Sequence, residues 1–383
     1  MIKSMLRVSA IGVFVVALFG CSSGGSDGGS SGNGGTQPLP LPASVEMVAT
    51  GFNVQTVASS LAVPAKMAAA PDGRIFFNEL KTGNIRVIDA SGNLVAAPFA
   101  TVADIATSSE QGLLGICLDN DFATNGFVYV QACINGAGVQ RIIRFTATGN
   151  TGGSETILID NLPMAVIHNA GALKMSSDGK LFVTIGDIND PNADDTNVAQ
   201  VDGQLAGRIL RYNADGSIPN DNPNPASPEY ARGLRNPFGL ALHPTENAIF
   251  ATENGPDNND ELNFVQAGKN FAWPMLPAGF PGGDVGYTAR TWPTVIVPTG
   301  ITWYTHGAFG NGFNNNLFFG SYDEEVIWRF PMSGPVLADI DEEVEFLRFH
   351  QDGTNNKPLD VIQAADGSLL VSTFTSIYRI TKQ

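Results

Sequence analysis

Ser177-Asp178-Gly179-Lys180-Leu181-Phe182-Val183 reads as an Asp-Gly turn feeding a strand. The same signal returns at Pro71-Asp72-Gly73-Arg74-Ile75-Phe76-Phe77 and at Ala365-Asp366-Gly367-Ser368-Leu369-Leu370-Val371. Weaker copies stand at His243-Pro244-Thr245-Glu246-Asn247-Ala248-Ile249-Phe250 and at residues 314–319. Second strands follow in these units, at 85–89, 209–212, 326–330 and 377–380. Strand, turn and strand, repeated without helical periodicity, predict an all-β fold, a β-propeller whose units bury their faces only against their neighbours. At roughly 40 to 55 residues per blade, the chain from Val45 onward allows six to eight blades, and its long inserted loops favour a six-bladed ring. A two-sheet sandwich is the runner-up, but it has no need of an Asp-Gly signal spread over the whole chain.

The bulk composition agrees. Of 383 residues, 43 are Gly and 23 Pro, while charged residues make up 15%, below the usual quarter. Such a chain is rich in turns and poor in solvated helices. Lys plus Arg is 21 and Asp plus Glu is 37, a net charge of −16. There is no basic surplus with which to displace counterions from nucleic acid, so no nucleic-acid partner is expected. Neutral ligands and Ca²⁺ remain compatible.

The N-terminus reads as export machinery. Lys3 and Arg7 precede an apolar run at 8–19, and Leu18-Phe19-Gly20-Cys21 resembles a bacterial lipoprotein signal. An ordinary signal peptide or a membrane anchor is the plainer alternative, although about 12 apolar residues fall short of the roughly 20 that span a bilayer. The lipoprotein reading divides the chain into a signal peptide at 1–20, a Ser/Gly/Pro-rich tether at 21–44 and a propeller at 45–383. Lipid on Cys21 would then be the sole membrane contact, placing the body at the bacterial cell envelope, on the outer membrane facing the periplasm or the surface. Cys117 and Cys133 lie in strand-like runs at 113–118 and 127–134, whose antiparallel pairing would bring them roughly opposite each other. A disulfide and two buried thiols are both open.

Several polar, glycine-containing stretches read as site loops: Glu110-Gln111-Gly112-Leu113-Leu114-Gly115, His168-Asn169-Ala170-Gly171, Ile185-Gly186-Asp187, Arg235-Asn236-Pro237, Glu253-Asn254-Gly255-Pro256, Asp260-Glu261-Leu262-Asn263 and Gly268-Lys269-Asn270-Phe271-Ala272-Trp273-Pro274. Of the four histidines, His243, His306 and His350 read as hydrogen-bonded structural residues. His168 differs, because a strand-end Asp and an Arg-Asn pair follow it and propeller loops converge on one funnel.

In this order the motifs resemble the soluble, pyrroloquinoline-quinone (PQQ)-dependent glucose/sorbosone dehydrogenases, or aldose sugar dehydrogenases. The resemblance runs from Gly51 through Ile380 and implies a six-bladed propeller. It implies oxidation of a sugar hydroxyl by hydride transfer to a Ca²⁺-bound quinone. His168 matches the general base, with Ala170 where the family has glycine, and Asp187 matches the carboxylate that orients it. Gln111 matches an amide at the quinone and sugar edge. Arg235 matches the cation on the reduced quinone oxygen, and Asn236 a cofactor contact. The carbonyls of Gly255 and Pro256 match the ligands of the quinone's Ca²⁺, and Glu261 with the carbonyl of Phe271 a second, structural Ca²⁺. The acidic loop 187–197 lacks an EF-hand's glycine and terminal glutamate and reads as solvated.

The chain departs from the family where the quinone's three carboxylates are met. Ser321-Tyr322-Asp323 puts an acid at a lysine position, and Lys357-Pro358-Leu359-Asp360-Val361 keeps one cation and makes the other Leu359. Two lost charge-assisted hydrogen bonds weigh about 3 to 6 kcal/mol. Thr294, Lys357 and the calcium are the remaining contacts the resemblance implies, with Arg329 as a cation that could reach in. Two functions follow: a sugar dehydrogenase, or a carbohydrate-binding or interaction propeller that has lost the quinone. The resemblance leaves open the sugar, the electron acceptor and a homodimer joined through the second calcium. No nicotinamide fingerprint, serine-hydrolase elbow or zinc helix is visible.

Overall fold

A computed structural model describes residues 41–42, 44–188, 198–275, 282–350 and 356–383. The predicted signal and nearly all of the tether lie outside them, as does most of the acidic loop 187–197. Among the described residues no helix is long and apolar enough to cross a membrane.

Six antiparallel sheets form the blades of a β-propeller. From the axis outward, blade 1 is Pro64–Ala69, Ile75–Glu79, Asn84–Ile88 and Ala100–Thr101. Blade 2 is Leu113–Leu118, Phe127–Ile134, Val139–Thr148 and Thr151–Leu162. Blade 3 is Leu173–Met175, Lys180–Ile185, Arg208–Asn213 and Glu229–Arg232. Blade 4 is Pro237–Leu242, Ile249–Glu253, Asp260–Phe264 and Tyr287–Trp292. Blade 5 is Pro298–Tyr304, Asn316–Ser321, Val326–Ser333 and Val344–Phe349, with Val45–Met47 added outside. Blade 6 is Asp360–Gln363, Leu369–Ser372 and Ile377–Lys382, completed by Phe52–Ala58 from the other end of the sequence. Each innermost strand contacts the next around the ring, including blade 6 against blade 1.

The apolar residues form no single core. The large clusters lie between consecutive blades, such as Phe76, Val87, Ile116 and Val130 between blades 1 and 2, or Phe318, Phe346, Val361 and Tyr378 between blades 5 and 6. A blade buries its two faces against two neighbours, which explains why strands such as Ile75–Glu79 and Asn316–Ser321 are buried at every position. Ser44 already belongs to the body, its hydroxyl accepting from Asn356 Nδ2 at 2.9 Å.

The cysteine expectation is corrected by register. Cys117 pairs with Tyr129, whereas the Cys133 amide bonds the carbonyl of Gly112. The thiols also face different clusters, Cys117 toward blade 3 and Cys133 toward Ala106 and Leu114. Both are free and buried, and burial pushes the Cys133 thiol up to about 12.

Candidate active site

The topology sorts the loops into two ends. Turns joining the first and second strands of a blade, including the Asp-Gly turns at 72–73, 178–179 and 366–367, lie at one end of the ring. Crossovers to the next inner strand, and turns between second and third strands, lie at the other. That second end carries Gln111, His168, Asp187, Arg235, Asn236, Gly255, Thr294, Asp323 and Lys357.

His168 sits in the crossover from blade 2 to blade 3, and Asp187 follows the second strand of blade 3. The His168 Nδ1 is 2.6 Å from Asp187 Oδ1, and both side chains are buried. The other carboxylate oxygen accepts the Trp273 indole N–H at 2.8 Å. With Nδ1 bearing the proton toward Asp187, Nε2 is the proton acceptor. The loop is fixed from several sides. His168 donates its backbone N–H to Glu110 Oε2 at 2.7 Å, Ala170 donates to Asn236 Oδ1 at 3.2 Å, and Asn169 brackets the backbone of Ala165. His168 and Ala170 both take left-handed φ, 56° and 55°, so Ala170 stands where a glycine carries no steric cost. Gly186 has no such freedom to give up: a Cβ there would lie 2.1 Å from the His168 carbonyl oxygen.

Arg235 comes from the crossover between blades 3 and 4. Its Nη1 donates to the carbonyls of Asn254 and Gly255, each at 2.8 Å, its backbone N–H donates to Glu253, and its guanidinium lies 5.5 Å from the Trp273 ring centroid. Glu253, Asp260 and Glu261 gather beside it. Burial raises all three carboxyls, and the charge of Glu261 raises Glu253 further. Asn263 Nδ2 bridges Glu253 and Glu261, and Asp260 holds the backbone N–H groups of Gly255, Ile296 and Val297. Among the described residues no three His, Cys, Asp or Glu side chains form a metal cage. A cation here would need carbonyl oxygens, and the Asn254 Oδ1 is buried with no hydrogen-bond partner.

Other expected residues fall elsewhere. Gln111 is buried but donates to the Ala165 carbonyl at 2.9 Å, so its amide tethers a loop, and Glu110 lines the funnel in its place. Thr294 is exposed on the crossover entering blade 5. Phe271 packs with Tyr230, Leu234 and Val265 between blades 3 and 4, whereas Glu261 sits in the carboxylate cluster. Lys357 faces Asp323 at 3.8 Å and Glu325 at 3.6 Å, with Nζ 4.2 Å from the Tyr322 ring centroid. Arg329 does not reach in: it bonds Asn316 and the Gly312 carbonyl and covers Phe313. His243 bonds Asn315, His306 caps a short 3₁₀ turn and His350 pairs with Glu46.

At the axis the loops line a narrow funnel, open at its mouth, with a cavity volume of about 50 Å³. Its wall is largely apolar, with Leu80, Leu114, Phe238 and Leu359, and two ionisable side chains, Glu110 and Lys66, face it. Glu110, Trp273 and Lys66 carry roles that sequence reasoning did not give them. Glu110 and Trp273 lay inside quoted motifs, and Lys66 had one signal, a lysine inside an apolar inner strand.

The structure is thus a closed six-bladed ring with a carboxylate-held histidine in the loops at one end. Residues 61–378 match the family model described as glucose/sorbosone dehydrogenase. The chain belongs to that family of sugar dehydrogenase oxidoreductases. It is similar to quinoprotein glucose dehydrogenase B of Acinetobacter calcoaceticus, 31% identical over 62% of this chain and 55% of the relative, so it spans little more than half of that relative's length. It is 26% identical to the aldose sugar dehydrogenase YliI of Escherichia coli, over 79% of this chain and 88% of the relative. Its fold matches the PQQ-bound aldose sugar dehydrogenase of Streptomyces coelicolor with a TM-score of 0.72 and 27% identity, covering 90% of this chain and 99% of the other.

Proposed function

We propose that this protein oxidises a hydroxyl of an aldose sugar, with PQQ and Ca²⁺ at the funnel mouth as acceptor and His168 as base. The observation that carries the proposal is the hydrogen-bonded chain Trp273–Asp187–His168, which reserves Nε2 for accepting a proton. A propeller that merely holds a carbohydrate needs no buried base paired to a buried carboxylate.

The residues fit a hard cation. Asn254 Oδ1 is an unpartnered buried oxygen, the carbonyls of Gly255 and Pro256 follow it in the chain, and the buried carboxyls of Glu253 and Asp260 with the half-buried Glu261 make the region favour positive charge. When bound, calcium and quinone supply a polarised carbonyl able to take a hydride. The chain's own part is to hold and move a proton. Asp187 fixes the imidazole ring and stabilises it once protonated. Arg235, pinned by the carbonyls of 254 and 255, presents a fixed guanidinium to developing negative charge.

Leu359 in the funnel wall and Asp323 beside Lys357 favour the second reading, a sugar-binding propeller without a quinone. Calorimetric titration of the calcium-supplemented apoprotein with PQQ, followed by a dye-linked assay on a panel of aldoses, separates the two. Binding with turnover is expected, and His168→Gln should abolish turnover while sparing quinone affinity. Undetectable quinone binding at saturating calcium would overturn the proposal.

A further inference from the structure

Lys66 interrupts the apolar inner strand of blade 1 and is 7% exposed. Blades 1 and 4 face each other across a ring of six, and Lys66 Nζ lies 4.3 Å from the centroid of the Phe238 ring on blade 4. The side chain therefore crosses the axis as a bar. It lines both the funnel above, with Phe238 and Leu359, and a smaller cavity below, with Asp360 and Lys174.

Its ion pair is loose. Asp360 Oδ1 is 3.5 Å from Nζ, while Oδ2 is held at 2.9 Å by the Met67 backbone N–H. An ammonium has three protons to donate, so the Asp360 contact leaves capacity unspent. Burial pushes the Lys66 ammonium down; the charge of Asp360 offsets this only in part and that of Lys174 adds to it, so a further anion beside Nζ would be favoured. In an apolar, water-poor funnel such a contact is stronger than on a surface.

We propose that Lys66 is the anion-recognition residue of the funnel, a cation in its floor that takes a carboxylate of a planar organic anion seated above it. This rests on the reading of the funnel as the seat of a carboxylate-bearing quinone, and it adds that ligand choice is set from the channel floor by blade 1. Lys66 would be a binding residue, with no step in hydride or proton transfer.

The test is the affinity of the calcium-supplemented full chain for two probes, PQQ by calorimetry and benzene-1,3,5-tricarboxylate by thermal shift. They are compared across wild type, Lys66→Arg, Lys66→Met and the double variant Lys66→Met with Asp360→Asn, which removes the carboxylate otherwise left unpaired. Lys66→Arg is expected to bind close to wild type. Lys66→Met and the double variant should bind at least about tenfold more weakly. If Lys66→Met fails to fold, the double variant alone decides. Wild-type affinity in either methionine variant would overturn the proposal, because the loss would then be absent or due to Asp360. Lysine-dependent protection by the tricarboxylate without quinone binding would retain the anion site and sink the quinone reading. Binding of neither probe to wild type would sink both.

Discussion

Glu110 accepts the His168 amide from inside the funnel wall, and burial holds its carboxyl above the ordinary glutamate range. The sign of the resulting pH effect is fixed by linkage. Below the ordinary value both folded and unfolded states are protonated and nothing is lost. As pH rises toward and past the raised folded value the unfolded chain ionises first, and the folded state loses stability. Glu110→Gln keeps an oxygen for the His168 N–H and removes the charge. The variant is therefore expected to melt higher than wild type at about pH 7.5 and alike at about pH 4, below the ordinary range of roughly 4.3. Equal melting at both pH values would count against a buried, charge-strained Glu110. At this scale the sequence displayed His168, Asp187 and Arg235, because each stands in a short motif whose residue types suit their chemistry. It did not show that Gln111 turns away while Glu110 turns inward, since adjacent crossover residues differ only in a backbone direction set by blades 1 and 2. Nor did it show the Trp273 contact with Asp187, which joins residues from the loops of different blades.

The strands and turns themselves were largely legible. The expected runs at 113–118 and 127–134 coincide with observed strands, and the Asp-Gly turns each open the second strand of a blade. That punctuation marks the end of the ring opposite the histidine, so the loudest local signal indicated the fold and was silent about the site. The functional end is built by crossovers whose shape depends on close approach. Gly186 is the sharpest case, because a Cβ there would come within 2.1 Å of one carbonyl oxygen and 3.0 Å of another, those of His168 and Arg235. Gly186→Ala must part the two loops that carry the base and the guanidinium. A loss of about 1–3 kcal/mol in unfolding free energy is expected, by denaturant titration, together with a fall in turnover larger than the stability loss accounts for. An alanine variant with wild-type stability would show that the loops are not held this tightly.

At the scale of the molecule, the repeat allowed six to eight blades and the long loops favoured six, but neither could announce the seam. Phe52–Ala58 carries no Asp-Gly signal of its own, and its partner Ile377–Lys382 is nearly the length of the propeller away. Because apolar contacts lie between blades, removing one outer strand exposes more than an edge: Phe52 packs against Phe309 and Phe346 of blade 5. Deletion of residues 45–58 is expected to abolish the single cooperative calorimetric transition and drive the chain to aggregate on size-exclusion chromatography. A truncated chain that still melts sharply as a monomer would mean that the ring closes without its seam.

The seam also sets an order of events in time. The strand at 52–58 leaves the ribosome long before its hydrogen-bonding partner at 377–382, and Gln383 grips Phe52 and Asn53 across more than 300 positions. Until then the early strand must wait unpaired while the blades assemble between it and its mate. Every incomplete chain is thus an open arc with raw strand edges, and commitment to the native ring comes late. A cell that makes this protein must keep that waiting strand from pairing with a neighbour's.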